Sequence, residues 1–234
     1  MKKLIFLLWA FASTALATPP DSISLTDRVI GYSKTQVFIL REVGTNLGLP
    51  IYGMHDVFLV AKSIKTGLDE EIWPVYRVHS AYEAEPQTRT FALDGAVNPF
   101  EIMATRAAQH IGYGMVSPES STAPNAAFYA EYLEIGDVRL PTEDIGAQLK
   151  HAIALTAEAI QPYPEDGYAS MSFATPQELL ANPAYDIQRC EINGIMQLSR
   201  YPEPDVDLAR LRCDDDGERL DFSLVTIISA DPFW

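Results

Sequence analysis

Residues 28–43 read Arg-Val-Ile-Gly-Tyr-Ser-Lys-Thr-Gln-Val-Phe-Ile-Leu-Arg-Glu-Val. Two runs rich in β-branched and aromatic residues flank the polar Ser33-Lys34-Thr35, which predicts a β-hairpin. The next stretch, Gly44 to Gly53, has three glycines and Pro50, the composition of a loop. A third apolar run covers Asp56 to Ile64 and turns at Thr66-Gly67; Glu71 to Val78 reads as the strand that returns. Pro74 has no N–H to give to a ladder, so this last strand is expected to lie at an edge or to carry a bulge. Four strands this close in sequence favour an antiparallel meander over parallel units with crossover helices.

Helical patterns follow. Asn98 is placed to cap, Pro99 suits the first helical position and Glu101 the first turn. Phe100, Met103, Ala104, Ala107 and Ile111 recur at helical spacing, and Gly112 and Gly114 are the expected stop. Residues 117–126 form a Ser/Pro-rich loop. Gly136-Asp137 divides 127–140 into a second hairpin. A second helix is predicted from Pro141 to Pro162, with Glu143 and Asp144 in its first turn and Ile145, Leu149, Ala152, Ile153, Thr156 and Ile160 on one stripe. Thr175-Pro176-Gln177-Glu178 is a capping box that opens a short third helix before Pro183. Asn193-Gly194 and Asp216-Gly217 each lie between apolar runs and suit tight hairpin turns. The expected fold class is α+β, with antiparallel sheet built from hairpins and two or three helices inserted between the N-terminal and C-terminal β segments.

The N-terminus has a different use. Met1-Lys2-Lys3 precedes the apolar Leu4 to Phe11, and Ser13-Thr14-Ala15-Leu16-Ala17 closes with small residues. A basic start, a short apolar core and a small-x-small site form a secretory signal, with cleavage expected after Ala17. The apolar run falls short of the roughly 20 residues a membrane span requires. Residues 1–17 are therefore read as a signal peptide and 18–234 as a single domain, β-rich over about 25–95 and α+β over about 96–234. Localisation is expected to be secreted or periplasmic, in the style of bacterial export. Export gives meaning to the two cysteines: Cys190 and Cys213 are expected to form one disulfide. Closing a loop of this length is worth about 3.5 kcal/mol in the chain-entropy account.

The chain has 32 acidic against 17 basic residues, a net charge of −15, and loss of Lys2 and Lys3 makes the mature form more acidic still. Such a chain repels phosphate backbones, so no nucleic-acid partner is expected. The four histidines make no metal-binding spacing, and no nucleophile elbow or nucleotide loop occurs, so neither a metal nor a cofactor is expected. The acidic turn Asp214 to Glu218 has consecutive carboxylates rather than the alternating ligands of a calcium loop. His151 faces away from its helix's apolar stripe and is expected in solvent, while His110 is expected half-buried beside Met103. His79, with Tyr82, Glu83 and Glu85 nearby, is the most site-like neighbourhood, an imidazole among carboxylates at a strand end. Two functions follow. The favoured one is a non-enzymatic exported domain that binds a protein or small molecule, its catalytic residues none or unknown. The alternative is a hydrolase-like enzyme with a site near His79 and Glu83.

Overall fold

A computed structural model of the chain describes residues 22–46, 52–82, 86–111, 126–128, 131–135, 138–162, 175–181, 190–200, 202–214 and 220–229. The predicted hairpin forms between β1 (Ile23–Tyr32) and β2 (Gln36–Thr45), turning at residues 33–35, where Ser33 Oγ accepts from Gln36 N. β3 (Tyr52–Ser63) and β4 (Asp69–Tyr82) extend the antiparallel meander, and β5 (Pro86–Phe91), unread in the sequence, adds to its outer edge. Pro74 sits where predicted. Val57 pairs with Tyr76 but Phe58 with Pro74, so Val75 is an extra residue in a bulge. β5 pairs only from Arg77 onward, so no neighbour asks Pro74 for an N–H.

The C-terminal part is a second antiparallel meander of β10 (Glu191–Leu198), β11 (Val206–Asp214) and β12 (Leu220–Ser229). It joins the first through one parallel pairing of β1 with β12, giving the order β10-β11-β12-β1-β2-β3-β4-β5. A small sheet of β7 (Ala126–Phe128), β8 (Tyr132–Ile135) and β9 (Val138–Pro141) stands apart, with the predicted division at 136–137 falling between β8 and β9. The protein is α+β and largely antiparallel, and among the described residues it has three helices: α1 (Pro99–Thr105), α2 (Thr142–Ala159) and α3 (Pro176–Ala181).

α2 is the centre of the core. Its predicted stripe from Ile145 to Ile160 is buried against Ile23, Leu25, Val43, Phe58, Leu211, Phe222 and Leu224. It contacts both β4 and β12, which lie four inter-strand steps apart, roughly 19 Å. At about 1.5 Å per residue the 18-residue helix is long enough to cross that width, meeting β12 at Gln148 and β4 through Gln161 and Pro162 just past its end. The other face of the first meander is covered at one end by α1, whose Met103 meets Phe38, Leu59 and Ala61.

Three expectations are corrected. Asn193-Gly194 is not a turn: β10 runs straight through it, and the register with β11 slips there in a bulge that Gly194 accommodates at φ 132°. A flexible dipeptide serves a turn or a bulge equally, and pairing with β11 decides. α1 starts as predicted, with Asn98 capping Phe100, but stops at Thr105. Ala107 takes the left-handed conformation at φ 50° and Ala108 N–H closes onto Met103 C=O. The chain is then free to pair Gln109–His110, as β6, with Gly31–Tyr32. Phe100 is consequently exposed rather than part of a long apolar face. α3 has its capping box, with Glu178 N donating to Thr175 Oγ1 and Thr175 N to Glu178. Cys190 and Cys213 are bonded, with Cα atoms 4.3 Å apart across β10 and β11. The 117–125 part of the Ser/Pro loop and residues 215–219 of the acidic turn lie outside the described residues, as do residues 1–17, where a signal peptide is expected.

The sequence reading also missed a row of buried charges on the helix-facing side. Arg41 is wholly buried. Its Nε and Nη2 donate to the two oxygens of Asp27 at 2.7 and 2.8 Å, and Nη1 to Asp69 at 2.7 Å, to Ala152 C=O and to Thr156 Oγ1. Lys62 Nζ lies 2.6 Å from the other Asp69 oxygen. Burial alone would raise the Asp69 carboxyl; Arg41 and Lys62 outweigh it and hold it at about 2. Because the folded value lies below the ordinary one near 3.8, this stabilisation is present above that ordinary value and is lost as pH falls toward 2. Arg41→Ala removes one partner from buried carboxylates and is expected to cost about 3–5 kcal/mol. Urea unfolding checks this. Wild type should lose stability steeply below pH 4 while Asp69→Asn, already weakened, shows a shallower acid limb.

Candidate functional site

With one sheet face filled by α2, the accessible sheet surface lies on the opposite face, beyond the end that α1 covers. The register sets a row there across four strands: Asp221 on β12 pairs with Ser24 on β1, Ser24 with Gly44 on β2, and Gly44 with His55 on β3. Directly paired residues share a face. A depression of about 390 Å³ opens along this row, bordered also by Ser22, Thr45, Asn46 and Gly53.

Glycine makes the hollow. A Cβ on Gly44 would lie 2.7 Å from Ser24 Oγ and 3.4 Å from the His55 ring, and one on Gly53 would lie 3.4 Å from His55 Nε2. The imidazole therefore lies beside two glycines; a side chain at Gly44 would crowd Ser24, and one at Gly53 would come into contact with the ring.

His55 Nδ1 meets Glu42 Oε1 at 2.6 Å, with both side chains about half-exposed. Glu42 is diagonal to His55, since Gly44 pairs with His55 and Glu42 with Val57. The hydrogen bond to Glu42 raises the imidazole above its ordinary value, burial opposes this, and the charges of Glu42 and Asp56 add to it. The bond to His55 likewise lowers the Glu42 carboxyl, against burial. The signs are complementary. The His55 contribution is present below its ordinary 6.5 and is lost as pH rises through the higher folded value. The Glu42 contribution is present above its ordinary 4.5 and is lost as pH falls. Between these limits the pair is charged, Nδ1 is committed to Glu42, and Nε2–H is the ring donor left for a ligand.

The residues singled out from sequence lie elsewhere. β4 continues past His79 to Tyr82, so His79 is inside the strand, paired with Met54 and Arg89, and only 6% exposed. Glu83 and Glu85 lie outside the described residues, as does the Tyr82 side chain. His151 is not in solvent: its Nε2 is 2.8 Å from Asp69 C=O, tying α2 to β4. His110 is exposed on β6, its ring 5.2 Å from that of Phe100. Among the described residues no three of His, Cys, Asp and Glu come together as a metal set. Among the same residues no helix is long and apolar enough to cross a membrane.

Comparison of the chain with family models, with curated proteins and with solved structures finds no match. The reading of the site therefore rests on its own geometry.

The His55–Glu42 pair is directly testable. By NMR, the His55 ring should titrate above 6.5 and should move down in Glu42→Gln. An unshifted midpoint in that variant would show that Glu42 does not hold the ring.

Proposed function

We propose that this chain is an exported protein, periplasmic or secreted, whose mature domain begins after Ala17 and binds a ligand or partner without turning it over. The His55 depression is its binding surface. The observation that carries the reading is the row Asp221–Ser24–Gly44–His55, in which glycine backbone opens a polar hollow on a rigid sheet. Sites on strands hold their groups more closely than sites on loops. With Nδ1 held by Glu42, the ring presents Nε2 to a ligand. The disulfide and the apolar, Lys-started N-terminus support export.

The test uses the mature, oxidised protein recovered after expression of the full chain. Its intact mass should lack residues 1–17. Amide spectra are then recorded with a panel of sugars, peptides and small acids. A binder should shift Ser24, Gly44, Gly53 and His55 and should emerge chemically unchanged. Gly44→Val fills the hollow while keeping a residue suited to strands, and should weaken binding by roughly tenfold or more, a loss of about 1.4 kcal/mol. Conversion of the ligand to product, or binding that Gly44→Val leaves intact, would overturn the assignment.

A further inference from the structure

Among the described residues three arginines are buried, Arg41, Arg77 and Arg200. Two of them have carboxylate partners: Arg41 lies between Asp27 and Asp69, and Arg77 donates through Nε and Nη2 to Asp56. Arg200 differs. Its Nε donates to Pro204 C=O at 2.8 Å and its Nη1 to Lys34 C=O at 2.7 Å, both uncharged acceptors. Its Nη2 donates to no described residue, and no carboxylate among the described residues pairs with its side chain. Buried charges are ordinarily paired, because an unpaired one costs several kcal/mol. Arg200 is 8% exposed, and among the described residues its guanidinium meets no counter-ion of the kind the other two have.

The surroundings show where one would sit. Arg200 lines a pocket of about 120 Å³ between the β1–β2 turn and the chain joining β10 to β11, with Tyr32, Ser33, Lys34, Gln109 and Glu203. The turn brings a second cation to it, Lys34, whose Nζ is 3.5 Å from Glu203 Oε1. The Ser33 hydroxyl and the Gln109 amide supply uncharged donors, the Tyr32 hydroxyl proton being committed to Ser199 C=O. We propose that this pocket binds a small oxyanion, a carboxylate or phosphate, held by Arg200 Nη2 and Lys34. Two carbonyls fix the guanidinium plane, so little freedom remains to be lost on binding. The volume suits a single oxyanion group. Glu203 occupies Lys34 until the ligand displaces it, so the protein's own carboxylate competes for the site. The pocket is at the opposite end of β1 from the His55 depression, and the proposal stands independently of that one.

The test titrates the mature, oxidised protein with sodium acetate, inorganic phosphate and sodium chloride at matched ionic strength. It reads the Arg200 Nε–H signal and the Lys34 and Gln109 amides by NMR. Saturable shifts with acetate or phosphate, and none with chloride, are expected; acetate alone assigns a carboxylate ligand and phosphate alone a phosphate. Lys34 and Glu203 are well exposed, so their variants should keep the fold. Glu203→Gln should tighten binding and Lys34→Gln should weaken it, each by roughly two- to fivefold, the worth of one exposed charge interaction. The absence of saturable shifts with either oxyanion would overturn the proposal. So would shifts shared with chloride, or affinities that neither substitution moves.

Discussion

The Arg41 guanidinium is the point on which the architecture depends. Its donors reach Asp27 on β1, Asp69 at the start of β4 and the α2 backbone at Ala152, so three distant parts of the chain close on one planar group. The Asp27 carboxylate acts in the other direction as well. The parallel pairing of β1 with β12 runs only from Ile23/Leu220 to Thr26/Ser223, and beyond it Asp27 Oδ2 accepts from Val225 N. A side chain thus takes a place in the ladder where the two strands separate. Past that point Val225, Ile227 and Leu208 pack against Val37, Ile39 and Val60 in a second core cluster. Two buried cations and two buried anions balance in charge. Such a network adds little raw stability over an apolar core, since desolvation offsets most of its attraction. Its effect is selective: a register shift on β1, β2 or β4 would leave a charge buried without a partner.

The same logic fixes α2 at three places along its length. Near the N-terminus, Gln148 exchanges hydrogen bonds with Thr226 and Ile227 on β12. In the middle, Arg41 takes Ala152 C=O and Thr156 Oγ1. Just past its end, Arg77 takes the carbonyls of Gln161 and Pro162, groups that have no helical partner there. Apolar packing alone would let a helix slide along the sheet face; these directional bonds set its position. Because α2 fills that face, the proposed binding surface falls on the other, and the His55 hollow is built on strands packed from behind.

How far the sequence revealed this depends on the range of the interactions. The hairpins, the Pro74 bulge, the α2 stripe and the α3 capping box are local patterns and could be read directly. The end of α1 could not, because Ala107 takes a conformation normally signalled by glycine. The bulge at Asn193-Gly194 has the composition of a turn, and only its pairing with β11 distinguishes the two. Arg41 left only a faint trace: it shares the face of Val37, Ile39 and Val43, but the continuous apolar run Val37–Leu40 lies on both faces and does not single one out. Those partners, Asp27 and Asp69, are brought to it only by tertiary structure. His55 was similarly legible in part. Once the hairpin register is known, Gly44 falls opposite it and Glu42 diagonal to it, but register needs the turn length, and residues 47–51 gave no turn motif to set it.

The covalent constraint lies beside a break in the pairing. β10 is the outer strand of the C-terminal meander, and its ladder to β11 is interrupted by the bulge between Ile192 and Ile195. An open strand edge invites pairing with other chains. The disulfide closes the Cys190 end next to the Glu191/Arg212 pair. At the other end of β10, Tyr32 donates to Ser199 C=O and Arg200 to Lys34 C=O, which ties the strand to the first hairpin. One edge strand is therefore held covalently at its start and by hydrogen bonds at its finish. The two devices differ in their requirements: the hydrogen bonds form wherever the chain folds, but the disulfide forms only in an oxidising compartment. The full closure of the C-terminal sheet thus depends on the environment to which the N-terminal segment would direct it.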